Sequence, residues 1–216
     1  MGRARMMYGC RGHSKNVLLM HTYRQAFASN KRKLMAKVIF LHGTSSAGKS
    51  TLSKAIQSQI DLPFWHYASD QLVEAGMLPK RINDGGAFDW KINRPKFFRA
   101  FHLCIKAVLD SGNDIILDHI IESDEWYEEL KVLLVEHDLF FVGVHCPIDV
   151  LREREIKRED RNIGNRYRGE AEYHLTHVHS YSEYDIEINS NEKSVEDTAS
   201  DVIEAWSKRT QSKFFD

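Results

Sequence analysis

The stretch "VIFLHGTSSAGKST", Val38 to Thr51, constrains this chain more than any other. An apolar, β-branched and aromatic run reads as a buried strand. It meets the spacing Gly43-x-x-x-x-Gly48-Lys49-Ser50, and Leu52, Ala55 and Ile56 then follow at helical intervals. Strand, glycine-rich turn and helix in that order form the context in which such spacing marks a phosphate-binding P-loop. Glycines let the backbone approach a phosphate and aim successive N–H groups into one concavity. A helix starting near Lys49 adds its positive end. The cofactor-binding segment is therefore Gly43, Thr44, Ser45, Ser46, Ala47, Gly48, Lys49, Ser50 and Thr51, and the expected ligand is a nucleoside triphosphate. Lys49 would sit as a point charge between the β- and γ-phosphates, and the Ser50 hydroxyl would serve a magnesium ion bridging the same oxygens.

The rest of the chain alternates strands with helices. Phe64–Ala68, Asp114–Asp118, Leu139–Cys146 and Tyr184–Asn189 read as further strands. Pro79–Arg94 reads as a long loop, and loops of that length in compact domains are mostly lids or binding segments. Pro95 is expected to open the next helix and Gly112 to stop it. Ser123 and Ser194 are expected to cap two more, the second through Trp206 with a capping-box pattern. Such alternation implies an α/β fold with a parallel sheet covered on both faces. Ligands in open α/β sheets bind beyond the carboxyl ends of the strands. Asp70 and Asp118 stand there with the glycine loop.

Asp118, after three apolar residues in "DIILD", has the form of a Walker B carboxylate, so Ser50 and Asp118 are the candidate metal residues. The alternative is a polar strand end. Asp70 suits a base that takes the proton of an attacking alcohol. It equally suits an N-cap for the helix at Gln71–Val73. Arg154, Arg158 and Arg161 share one helix face at i, i+4 and i+7, as a clamp on a transferring phosphoryl group would require. Glu153, Glu155 and Glu159 interleave with them, so a salt-bridged solvent face is the competing reading. His174, His177 and His179 lack an acid or cysteine to complete a metal site.

Charge and cysteines bound the setting. Residues 1–37 hold nine Lys or Arg and no Asp or Glu, leaving 21 basic against 31 acidic beyond, a net of about −10. The leader has the composition of a transit peptide but no sustained amphipathic period. We expect an unstructured basic extension over residues 1–34 and one domain over 35–216. A nucleic-acid-binding arm would need interleaved aromatics. Three scattered cysteines give no disulfide framework and fit a reducing cytoplasm. No stretch approaches the roughly 18 uninterrupted apolar residues of a membrane span.

Six segments, "SSAGKS", "SDQLVEA", "IILD", "FVGVHC", "REREIKREDR" and "HVHSYSEYDIEINS", run in order from about Val38 to Trp206. Together they resemble the chloramphenicol phosphotransferase-like P-loop kinases. The resemblance implies a three-layer P-loop kinase fold of five parallel strands with the P-loop strand central. It also implies an ATP- and magnesium-dependent enzyme that phosphorylates the primary hydroxyl of chloramphenicol. It gives Asp70 the role of base, Lys49 and Ser50 to phosphates and metal, and places Arg154, Arg158 and Arg161 near the nucleotide. The family pattern carries an acidic residue after the strand-end Asp, whereas this chain has His119, and the Pro79–Arg94 loop is differently composed. The expected partner is a small-molecule hydroxyl acceptor, with no nucleic acid or membrane and self-association left open. Two other readings stand beside this one. They are a nucleotide, sugar-nucleotide or shikimate-like kinase, and a nucleotide-binding regulator that hydrolyses ATP slowly.

Overall fold

The computed structural model describes residues 34–157, 177–181 and 183–216, and Met35–Asp216 makes one compact unit. The leader residues 1–33, Arg158, Arg161 and His174 lie outside the described residues. The elements run β1 (Lys37–His42), α1 (Lys49–Gln59), β2 (Trp65–Ala68), α2 (Ser69–Glu74), α3 (Trp90–Asp110), β3 (Ile115–Asp118), α4 (Asp124–Leu134), β4 (Asp138–His145), α5 (Ile148–Lys157), β5 (Ile186–Asn189) and α6 (Val195–Ser207). The five strands form one sheet in the order β2-β3-β1-β4-β5, and every pairing is parallel.

Residue alternation along the strands divides the core into two layers. Val38 and Phe40 of β1, Ile115 and Leu117 of β3, and Leu139 and Phe141 of β4 face a cluster with Phe101, Ile105 and Leu109 of α3 and Leu130 and Leu134 of α4. Ile39 and Leu41, Ile116, and Phe140, Val142 and Val144 face the opposite cluster, with Leu52 and Ile56 of α1, Leu151 of α5 and Val202 and Trp206 of α6. This is the doubly covered sheet that near-continuous apolar strands require. Among the described residues no helix is long and apolar enough to cross a membrane.

Several local signals act as read. Ser123 Oγ accepts from Trp126 N at 3.4 Å, Ser194 Oγ accepts from Asp197 N at 3.1 Å, and Gly112, with φ +84°, follows the end of α3. The entry to α3 differs from the expected one. The helix begins at Trp90, capped by Asp89, whose carboxylate accepts from Lys91 N and Ile92 N at 2.8 and 3.2 Å. Pro95 therefore lies inside α3 rather than opening it. So near the N-terminus its missing N–H forfeits a single bond to the Lys91 carbonyl, which the cap and the buried Phe97, Phe98 and Phe101 outweigh. The Pro79–Arg94 stretch is thus shorter as a loop and not structureless. It holds a single 3₁₀ turn, Ile82–Asp84, and a bridge between Arg81 and Phe88.

Candidate functional site

β1 is flanked by β3 and β4, so the turn that follows it emerges at the middle of the carboxyl edge. Gly43 leaves the strand where a Cβ would stand 2.2 Å from the Val144 carbonyl oxygen. Only glycine fits that approach. Ser46 and Gly48 adopt left-handed φ values of 62° and 95°, the backbone alternation that gathers N–H groups into an anion-binding concavity. Gly48 is the N-cap of α1 and has no side chain to cap its first turn, the end of a helix that favours an anion. Thr44 Oγ1 and Ser46 Oγ are buried with no hydrogen-bond partner among the described residues.

Lys49 lies on the inward face of α1 at 7% exposure. Its Nζ donates to the Gly43 and Thr44 carbonyl oxygens at 3.0 and 2.8 Å. One residue on, Ser50 Oγ donates to Asp118 Oδ2 at 2.6 Å, tying the first turn of the helix to the end of the neighbouring strand. Burial alone would raise the Asp118 carboxyl. The His66 ring, the Lys49 charge and the Ser50 hydroxyl outweigh burial and hold it below the ordinary carboxylate value. A hydroxyl beside an ionised carboxylate is a hard-oxygen donor set, which suits magnesium.

Parallel register sets Ala68 opposite Asp118, so α2 starts beside that carboxylate. Asp70 is in the first turn of α2 and exposed. It is not the N-cap, which is Ala68; the Ala68 N–H instead donates to Gln71 Oε1 at 3.2 Å. The capping reading of Asp70 therefore loses its position. Arg154 reaches across from α5. Its guanidinium donates to Ser46 O at 3.4 Å and to Ser190 Oγ and O at 3.0 and 3.2 Å. Nη1 also approaches Cys146 Sγ, at 3.4 Å. No carboxylate among the described residues pairs with Arg154, whereas elsewhere on the same helix Arg152 pairs with Asp149 and Lys157 with Glu153.

Two histidine groups flank the loop. His119, just past Asp118, is buried, and its Nε2 lies 2.9 Å from His102 Nε2, while His102 Nδ1 lies 2.8 Å from Glu129 Oε2. Across β1, the Tyr184 hydroxyl joins His42 Nδ1 at 2.9 Å and His179 Nδ1 at 2.6 Å, and His179 stacks on His145. Burial, followed by neighbouring positive charge, lowers His42 and His119 well below the ordinary imidazole value and His179 to about 4. No group of three or more metal-ligating side chains occurs among the described residues. His66, Gln71, Cys146 and Ser190 join the site without having been singled out in the sequence. Their roles depend on strand register and on contacts from distant segments.

A family model described as "Chloramphenicol phosphotransferase-like protein" matches residues 36–207. The chain belongs to that family. A Mycobacterium tuberculosis protein named "Putative O-phosphotransferase" is 28% identical over 190 residues, spanning 79% of this chain and 82% of the relative. Among solved structures, the M. tuberculosis APS kinase CysC in complex with AMPPNP and APS superposes with a TM-score of 0.56 at 16% identity, covering 80% of this chain and 98% of that one. A gluconokinase from Sinorhizobium meliloti gives a TM-score of 0.53 at 16% identity, with 82% and 94% coverage. Shikimate kinase from Acinetobacter baumannii in complex with shikimate gives 0.51 at 18% identity, with 83% and 94% coverage. The family member thus has the P-loop kinase fold, a five-stranded parallel sheet between helices.

Proposed function

We propose that this chain transfers the γ-phosphoryl group of ATP to a hydroxyl of a small molecule, with chloramphenicol or a related hydroxylated compound as acceptor. The observation that carries the reading is the Ser50–Asp118 hydrogen bond of 2.6 Å beside the glycine turn. It assembles a cation-binding pair next to an anion-binding turn, as phosphoryl transfer requires. The orphaned hydroxyls of Thr44 and Ser46 supply further donors for phosphate oxygens, and the N-terminal end of α1 favours their charge. When bound between Ser50, Asp118 and the nucleotide, magnesium would neutralise charge on the β- and γ-oxygens.

The chain's own residues do the rest. Lys49 leaves its two carbonyl partners for the β- and γ-oxygens. Arg154, beside Ser46 and Gly48, offers a guanidinium to the nucleotide phosphates. Asp70, exposed in the first turn of α2 just past the end of β2, takes the proton of the acceptor hydroxyl as its oxygen bonds to the γ-phosphorus and the bond to ADP breaks. Arg158 and Arg161 are assigned to the same phosphates on the family resemblance alone.

The test is incubation of the purified full chain with γ-labelled ATP and magnesium, with chloramphenicol, nucleosides, sugars and shikimate offered separately. Label should move to one acceptor in wild type and not in Lys49→Ala. Label released only as inorganic phosphate, at a rate no acceptor changes, would favour the regulatory ATPase and refute the proposal.

A further inference from the structure

His66 and Ala68 lie on the same face of β2, two residues apart, as Ile116 and Asp118 do on β3. The His66 side chain is 7% exposed and sits between two groups. On one side, its Nδ1 is 3.0 Å from Gln71 Nε2. On the other, its Nε2 is 3.6 Å from Asp118 Oδ2.

The proton on this ring can be located by elimination. A backbone N–H only donates, and the Ala68 N–H points at the Gln71 amide at 3.2 Å, so the atom it meets is the amide oxygen. The amide nitrogen therefore faces His66, and an amide nitrogen also only donates. His66 Nδ1 must accept, which leaves the ring proton on Nε2. That N–H is buried and has no hydrogen-bond partner among the described residues. At 3.6 Å from Asp118 it is just beyond hydrogen-bond length, and a closing movement of less than 1 Å would complete the bond.

The same Asp118 oxygen already accepts from Ser50 Oγ. A hydroxyl has one hydrogen and two lone pairs, so Ser50 keeps both lone pairs for a cation while its hydrogen is spent on Asp118. A second donor from His66 would occupy Oδ2 fully and turn Oδ1 outward. We infer that His66, locked in its Nε2–H tautomer by Gln71, is a positioning residue that orients the Asp118 carboxylate for a nucleotide-bound divalent cation. The inference rests on the reading of Ser50 and Asp118 as the cation side of the site. Outer partners of this kind fix the orientation of a ligand and tune its basicity, and so govern metal affinity.

Long-range proton–nitrogen NMR on the full-length protein reads the tautomer directly, and manganese titration of the protein–ATP complex by electron paramagnetic resonance reads cation affinity. Wild type should carry the His66 proton on Nε2. His66→Phe should weaken manganese binding about tenfold or more, the lower end of the usual effect of outer partners. ATP affinity in chelator should stay the same. His66→Gln, which places an amide donor near the position of Nε2, should restore most of the loss, and Gln71→Met should leave the ring as a mixture of tautomers with intermediate affinity. A proton on Nδ1 in wild type, or equal manganese affinity in His66→Phe and wild type, overturns the inference. Ser50→Ala separates the two levels. If it weakens manganese binding while His66→Phe does not, only the positioning role fails. If neither weakens it, the cation-site reading fails with it.

Discussion

Gly43→Ala adds one methyl group where the structure has no room for it. The new Cβ would stand 2.2 Å from the Val144 carbonyl oxygen, 3.1 Å from its carbonyl carbon and 3.3 Å from its Cβ. Ordinary contact at that oxygen requires roughly 1 Å more. β4 cannot easily yield that distance, because it is hydrogen-bonded to β1 on one side and β5 on the other. The glycine turn yields instead and carries Ser46 through Lys49 with it. Forced overpacking of this kind costs about 1–3 kcal/mol, and a shift of about 1 Å in a positioning element costs on the order of 10²-fold in rate. Gly76→Ala is the control: nothing lies within 4 Å of its Cβ, and its φ is +77°. Its cost is about 1–2 kcal/mol of left-handed backbone strain, with no effect on nucleotide. Urea denaturation measures the stability, transfer of label from ATP measures the rate, and calorimetric titration with magnesium–ATP measures whether the displaced turn still binds nucleotide. Gly43→Ala with stability within about 0.5 kcal/mol of wild type and unchanged ATP affinity would show that the close approach to Val144 does not constrain the turn.

Lys49→Ala removes the cation that folds back on the Gly43 and Thr44 carbonyls, and transfer should fall by about 10²–10³-fold with the circular dichroism spectrum kept; near-normal turnover would sink the phosphate assignment. Asp70→Asn should lower transfer to the acceptor by about 10²–10⁴-fold, with the circular dichroism spectrum kept. Wild-type transfer with chemistry rate-limiting would move the base elsewhere. Burial lowers His42, His102, His119 and His179 in the folded chain, with Glu129 partly opposing this at His102. Because the unfolded chain then binds protons more readily, their stabilisation is complete above about pH 6.5 and is lost as pH falls toward the His179 value of about 4. Urea midpoints should therefore drop from pH 7 to pH 5 by more in wild type than in His179→Gln. A flat profile in wild type would contradict the burial of these rings as neutral groups.

The parts of this chain legible in advance are those whose cause is local. The glycine turn, the caps at Ser123 and Ser194 and the stop at Gly112 each follow from backbone chemistry within a few residues. Apolar runs are enough for five strands, whereas the central place of β1 follows from the family resemblance and not from any local pattern. The start of α3 is not legible locally, because Pro95 is the stronger signal and Asp89, the cap, lies in a polar stretch rich in turn residues. The Asp70 ambiguity had a similar origin. Ala68 is no capping residue by type, yet Gln71 three residues on satisfies its N–H. Helical spacing could group Arg154 with Arg158 and Arg161, but the carbonyl of Ser46 lies 108 residues away and Ser190 lies 36 residues away. His66 required the register of β2 against β3, which no local pattern contains.

The order β2-β3-β1-β4-β5 leaves β2 paired on one side only, while the glycine turn grows from a strand held on both. Changes in β2, α2 and the segment leading into α3 strain one ladder, whereas changes around β1 strain two. Met77, Ile82 and Ile92 are already large apolar side chains at 61%, 52% and 66% exposure in that outer segment, so their replacement removes little packing. Such a chain can drift, or be steered, at its margin while its phosphate chemistry stays fixed. A library aimed at a new acceptor should therefore vary residues 72–93 and leave 43–51 and 118 untouched.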